Sequence, residues 1–196
     1  MKALIFSFLI FTGFNAAAQK TSYVDSLKMY QKNYVETHEV VKKPDWKYFR
    51  FFPVNEKYRV LATFEKISDT SGFIMKTSGK LSKKYFRYGM LGFTIDHTLF
   101  HLTVYQTEQL MQTAEYKNYL FVPFTDLTSG EQSYAGGKYM DIMLDDIKNN
   151  TLLLDFNKAY NPYCAYTTGY NCPIPPREND LPVAIKAGEM AFGKAH

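Results

Sequence analysis

Asp155, Asn157, Tyr160, Asn161 and Tyr163 crowd one short stretch, just ahead of the only two cysteines, Cys164 and Cys172. Read as the end of a strand, Thr151 to Asn157 turns Leu152, Leu154 and Phe156 to one side and Leu153, Asp155 and Asn157 to the other. Polar groups therefore surface where the strand runs out, and pockets of sheets commonly open at strand ends. Tyrosine supplies an apolar face and one hydroxyl, a combination that suits sugars and other amphipathic small molecules. Tyr139 and Lys138, behind Gly136 and Gly137, add a ring and a cation to this ligand-binding set. The same region holds candidates for acid–base chemistry. Asp126, Asp155 and Glu178 would be the catalytic carboxyl groups of a hydrolase, with Tyr139 or Tyr160 assisting, if two of them came within about 10 Å of each other in one cleft. Each also has an ordinary structural role. Asp126 begins a turn and suits the amides of Thr128 and Ser129. Asp155, Asn157, Asn161 and Asn179 suit the backbone groups that an irregular segment leaves unpaired.

Other motifs exclude more than they suggest. His97 and His101 are four apart, but Thr98 stands where a zinc-protease helix needs glutamate, and no third ligand is visible. Cys164 and Cys172 are too widely spaced for a zinc knuckle and lack partner ligands. We expect a disulfide, contributing about 2.5 kcal/mol in the chain-entropy view, and neither a metal nor another cofactor. Gly136-Gly137-Lys138 is no phosphate loop, because Gln132 and Tyr139 occupy positions that need glycine and a hydroxyl residue.

Residues 1–18 have the order of a signal peptide: Lys2, an apolar run to Phe14, then Ala16-Ala17-Ala18. The expectation is an exported protein, periplasmic or extracellular, with residues 19–196 as one globular domain. Removing Lys2 lowers the net charge from +4 to about +3, and the lysines and arginines are scattered, so nucleic acid is not an expected partner. No later run is long and apolar enough to span a bilayer, so no stable membrane insertion is expected after signal removal.

These residues need a scaffold. Ser22 and Asp25 form a capping box, and the apolar spacing behind them predicts a helix from Tyr23 to about Val41, stopped before Pro44. The period then changes. Lys57 to Glu65 alternates, with Tyr58, Val60, Ala62 and Phe64 on one face. Phe73 to Lys76 is a short strand. Tyr85 to Ile95 and Leu99 to Gln106 pair around Asp96-His97. Thr107 to Lys117 is a short helix or long connection. Tyr119 to Phe124 reads as an edge strand, or one ending at Pro123. Lys138 to Leu144 and Thr151 to Phe156 read as a last hairpin. Seven short strands without intervening helices predict a mainly β fold, an antiparallel barrel-like or sandwich sheet with an N-terminal α-helix. The proline- and tyrosine-rich segment from Asp155 to Glu189 predicts a long, disulfide-bridged C-terminal loop.

The chain also resembles the uncharacterised bacterial family called domain of unknown function 1684. The resemblance rests on Leu120 to Asp126 with Thr128-Ser129-Gly130, and on Tyr134 to Tyr139. Most specific are Asp155 to Tyr166, Cys172 to Asn179 and Ala187-Gly188-Glu189. Phe51 to Thr63 and Tyr85 to Tyr105 match more loosely. Ala135 and Lys138 depart from the glycine and arginine common in that family. The resemblance implies no activity, substrate or cofactor. The residues themselves favour a module that binds a small sugar-like or amphipathic ligand. The alternatives are a carboxylate hydrolase, or a protein-interaction domain using an exposed tyrosine patch.

Overall fold

The computed structural model describes residues 22–194. The segment read as a signal peptide lies outside them. Helix α1 spans Tyr23–Glu36. Ser22 Oγ accepts from the Asp25 amide at 3.1 Å, the N-cap half of the expected capping box; the Asp25 carboxylate accepts from the Ser22 hydroxyl at 2.6 Å instead of reaching back to the Ser22 amide. The helix ends earlier than its apolar spacing predicts. Thr37 Oγ1 donates to the Asn33 carbonyl at 2.8 Å, and His38 Nδ1 accepts from the Val41 amide at 2.9 Å. Side chains thus take over backbone groups, and the chain turns into a 3-10 segment over Lys43–Tyr48, with Pro44 in its first turn.

The strands are β1 Arg59–Lys66, β2 Phe73–Met75, β3 Lys83–Ile95, β4 Thr98–Thr107, β5 Tyr119–Asp126, β6 Lys138–Met143, β7 Thr151–Asp155 and β8 Asp180–Leu181. A short helix α2, Glu108–Met111, opens the connection after β4. The sheet curls into a half-barrel with strand order β6-β5-β4-β3-β1-β7; β2 pairs with β3, and β8 runs parallel to β5. The β3–β4 hairpin turns at Asp96-His97, both with positive φ (48° and 64°), matching the twist of its strands.

Two sequence expectations are corrected. Strands β6 and β7 do not form a hairpin: β6 pairs with β5 and β7 with β1, at opposite ends of the order. The 3-10 turn Leu144–Asp146 and the left-handed Asn149 and Asn150 carry the chain across to the free edge of β1. Nor is β5 an edge strand, and it continues through Pro123 to Asp126. Proline has no amide to give a neighbouring strand, and β4 and β5 part beside it, registering directly only at Tyr105 and Phe121. The buried side chain of Asn179 fills the gap. Its Oδ1 accepts from the Thr103 amide at 2.7 Å, and its Nδ2 donates to the carbonyls of Thr103 at 2.9 Å and Pro123 at 2.7 Å.

The inner face of the sheet packs the main core, including Ala62, Leu91, Phe93, Leu102, Val122, Phe124, Leu152 and Leu154. Burying each of the larger side chains contributes about 1.5–3 kcal/mol. The opposite face is also apolar: Met75, Tyr85, Tyr105, Phe121 and Tyr139 form a second cluster there. A third cluster lies under the end of α1, where Val41, Ala165 and Tyr166 meet Trp46, Phe49 and Phe192. No described helix is long and apolar enough to cross a membrane.

Candidate functional site

Alternation along β3, β5 and β6 sends Tyr85, Phe121 and Tyr139 to the face opposite the main core. The C-terminal loop covers that face without filling it, and a hollow of about 540 Å³ remains. Tyr119 and Tyr160 complete its aromatic lining. Leu110 from α2, Leu81 from the β2–β3 connection and Lys83 at the start of β3 form one side, and Tyr163 with Gly169 to Pro173 the other. The rings meet edge to face: Phe121 and Tyr139 at 4.7 Å, Tyr139 and Tyr160 at 6.0 Å, an arrangement that holds aromatic walls in fixed orientations. Hydroxyls fix them further. Tyr139 donates to the Pro173 carbonyl, and Tyr160 donates to Asp141 Oδ2 at 2.8 Å. Burial raises the Tyr85 hydroxyl to about 12, so it is a neutral donor at physiological pH. Burial also raises Asp141, against the hydrogen bonds it accepts from Tyr119 and Tyr160.

The loop wall is tied down covalently and by hydrogen bonds. Cys164 and Cys172 form a disulfide with Cα atoms 6.3 Å apart. Ser78 donates its amide to the Cys172 carbonyl at 2.9 Å, and its Oγ accepts from the Cys172 amide at 3.0 Å. Asn171 Oδ1 accepts from the Leu81 amide at 2.9 Å. A side chain at Gly79 would place its Cβ 2.1 Å from that Asn171 oxygen, so only glycine permits this closeness.

Asn161 borders the hollow and is fully buried. Its Nδ2 donates to the Met190 carbonyl at 2.8 Å, and its amide donates to Glu189 Oε2 at 2.9 Å. Its Oδ1 has no partner. Behind it, Glu189 is completely buried and accepts from Tyr166 at 2.7 and 2.8 Å and from Tyr34 at 3.2 Å. Burial outweighs those donors and raises its carboxyl from 4.5 to about 7. His38 packs edge-on against Tyr166 at 4.7 Å, and burial lowers its imidazole to about 4.

The structure divides the residues singled out in the sequence. Tyr139, Tyr160, Asn161 and Tyr163 come together around the hollow, and the Tyr163 hydroxyl donates to Glu39 at 2.8 Å. Asp155, Asn157 and Lys138 are not among its lining residues. Asp155 lies in a groove beside α1, where it accepts from Tyr23 at 2.9 and 3.0 Å and from the Asn157 amide at 3.1 Å. Buried Asn157 clasps Asn55, accepting from its amide and donating to its carbonyl, each at 3.0 Å. Lys138 points into the core, where its ammonium faces Asp126 Oδ2 at 3.1 Å and donates to the Ile185 carbonyl at 2.9 Å. Burial lowers the Lys138 pKa, and Asp126 opposes that shift. Asp126 also accepts from the Thr128 amide at 2.7 Å, as its turn predicts, whereas the Ser129 amide goes to its backbone carbonyl. Glu178 sits elsewhere, accepting from Arg87 and Tyr105, each at 2.9 Å. Asp126, Asp155 and Glu178 therefore occupy three separate settings.

Sequence reasoning missed Tyr85, Tyr119 and Phe121 on the strands, buried Glu189 and half-buried His38. The strand residues left a readable signal. Tyr119 to Phe124 is apolar at every position, which signals burial on both faces of a strand rather than one. Among the described residues, no group of three His, Cys, Asp or Glu side chains is arranged to hold a metal ion.

A family described as "Protein of unknown function (DUF1684)" matches residues 45–190. No functionally curated protein matches the chain. Among solved structures, it is similar to the solution NMR structure of the uncharacterized protein from gene locus rrnAC0354 of Haloarcula marismortui. The two share 30% identity over 84% of this chain and 92% of that one, with a TM-score of 0.64.

Proposed function

This chain belongs to the DUF1684 family of proteins of unknown function, a membership that brings no activity with it, and we propose that it binds a small amphipathic molecule in the tyrosine-lined hollow. One observation carries the reading. A solvent-open hollow of about 540 Å³, within the usual range of small-molecule sites, is lined by aromatic faces and walled by a loop that a disulfide and Ser78 hold in place. Rigid rings hold an apolar body with little loss of side-chain freedom, and a few hydroxyl and amide groups orient it. A binding role is favoured over hydrolysis because Asp126, Asp155 and Glu178 each serve a separate local partner. We further propose export to an oxidising compartment, supported by the apolar leader in the sequence and by the cysteine pairing.

The test is fluorescence titration with N-phenyl-1-naphthylamine, a neutral amphiphile, on the intact disulfide-bonded protein. We expect one probe per chain, with binding abolished in Leu110→Trp, whose indole fills the hollow from its rim. Unchanged binding by that variant would place the probe elsewhere and overturn the reading, as would no binding by the wild type. For export, an intact mass that retains residues 1–18 in protein from its own host would refute the proposal.

A further inference from the structure

We propose that the ligand of this hollow is an uncharged carbonyl compound, an apolar body whose oxygen accepts a hydrogen bond from the Tyr85 hydroxyl. This rests on the binding reading above and names the polar group that the same site selects.

The sheet places Tyr85 for that contact. Alternation along β3 turns it to the outer face, where it lines the hollow and packs against Phe121 with ring centres 6.0 Å apart. Side chains stand roughly perpendicular to a sheet, so the hydroxyl is the atom farthest from the strands and nearest the covering loop. The residue is only 3% exposed. Burial alone shifts its hydroxyl, and among the described residues no hydrogen bond holds it. Neighbouring wall hydroxyls are engaged instead: Tyr139 serves Pro173, Tyr160 serves Asp141 and Tyr163 serves Glu39. Nor is the Tyr85 oxygen sealed in. The described buried side-chain atoms that lack both a partner and accessible surface are His38 Nε2, Asp126 Oδ2 and Asn161 Oδ1. The unbonded Tyr85 oxygen is not one of them, so it reaches open space, and the hollow is the space this side chain lines.

Two properties of that hydroxyl define what it meets. It stays protonated to about pH 12, and a phenol whose lone pair is drawn into its ring donates better than it accepts, so it selects an acceptor. Its shift arises because the site disfavours charge on that oxygen, and the same surroundings disfavour a charged ligand group beside it. The Lys83 ammonium stands exposed at the mouth, where solvent meets its charge. A carbonyl oxygen satisfies both conditions. An apolar ligand that displaced water from Tyr85 would leave the hydroxyl unpaired, and a site built on such a bond rejects the analogue that lacks it.

The experiment is displacement of N-phenyl-1-naphthylamine from the full disulfide-bonded chain by two probes of one shape, 2-acetylnaphthalene and 2-isopropenylnaphthalene, which differ by a carbonyl oxygen against a methylene. Their intrinsic hydrophobicities differ, so the quantity read is how each changes in Tyr85→Phe, which keeps the ring and removes only the hydroxyl. We expect the ketone to need about fivefold more to displace the dye from that variant than from wild type, the effect of one hydrogen bond. The alkene should change by less than about twofold. Tyr85→Phe should also unfold at the same urea concentration as wild type, because its hydroxyl serves no partner within the protein. Tyr105→Phe, which removes a neighbouring hydroxyl bonded to Glu178 and lies outside the lining of the hollow, should leave both probes as in wild type. Equal effects of Tyr85→Phe on ketone and alkene would overturn the proposal while leaving the hollow as a binding site. So would the same ketone loss in Tyr105→Phe, or a bound dye that neither probe displaces. If the dye itself failed to bind wild type, the underlying binding reading would fall too.

Discussion

The stability of the fold should depend on pH in a way that replacing Glu189 unmasks. Buried Glu189 and half-buried His38 both pack against Tyr166, and burial shifts them in opposite directions. The folded chain holds the Glu189 proton up to about pH 7, whereas an exposed glutamate releases it near 4.5. Between those values the folded state binds a proton that the unfolded state lacks, so stability falls as pH rises. At 1.36 kcal/mol per pH unit the full loss is about 3 kcal/mol. His38 acts oppositely. Between about pH 4 and 6.5 the unfolded chain binds a proton that the folded imidazole refuses, so stability rises with pH. Its contribution is about 2 kcal/mol, smaller because the ring is partly exposed to solvent. Wild type should therefore fall by only about 1 kcal/mol from about pH 4.5 to 6.5, and by about 1 kcal/mol more toward pH 8. Glu189→Gln keeps the size and one acceptor oxygen but cannot ionise. Its stability should instead rise by about 1 kcal/mol between pH 4.5 and 6.5, and most of the decline toward pH 8 should vanish. Asp141, also raised by burial, leaves a residual slope. Urea unfolding followed through Trp46, the sole tryptophan, which packs in the adjoining cluster, reads this directly. A variant whose profile matched wild type would show that Glu189 is ionised throughout and refute the reasoning.

Three further outcomes follow from other contacts. Asn179→Ala should cost about 3 kcal/mol in urea unfolding, because it strands three backbone groups between β4 and β5, two on half-buried Thr103 and one on buried Pro123; a loss under 1 kcal/mol would mean that water replaces the side chain. Lys138→Met should cost about 3–5 kcal/mol by leaving Asp126 buried without its partner, and adding Asp126→Asn should recover part of the loss; no recovery would refute the pair as the cause. Cys164→Ser with Cys172→Ser should lower stability by at most about 2.5 kcal/mol and weaken dye binding in the hollow, since Cys172 forms part of the wall; unaltered dye affinity would show that hydrogen bonds alone hold that wall.

What the sequence revealed follows the range of the forces involved. The start of α1 was legible because Ser22 and Asp25 cap it within one turn. The β3–β4 hairpin was legible because its turn and alternation are adjacent in the chain. Pairing of β7 with β1 was not, since nothing near Thr151 indicates which distant edge is free. Asn179 bridging Thr103 and Pro123 is equally non-local. At the site, Tyr139, Tyr160, Asn161 and Tyr163 were found by their crowding near the cysteines. Asp155, Asn157 and Lys138 shared that sequence neighbourhood, but Tyr23, Asn55 and Asp126 draw their side chains elsewhere. Glu189 and His38 carry no local signature, because their burial depends on how α1 meets the far end of the chain.

The strand order also bears on how the molecule assembles. Strands β3, β4, β5 and β6 each pair with a neighbour in sequence, so loop closure among them costs little entropy. The β1 strand reaches its second partner only when Arg59 meets Asp155, across most of the intervening chain. Contacts of such long range generally form late, after local ones have reduced the search. Everything beyond β7 then docks with it, bringing the loop wall of the hollow, β8 beside β5, and Asn179 into the gap between β4 and β5. Cys164 and Cys172, eight residues apart and without a competing thiol among the described residues, can be joined before or after that event with the same result. Oxidation and folding are thereby uncoupled in time, and neither must wait for the other.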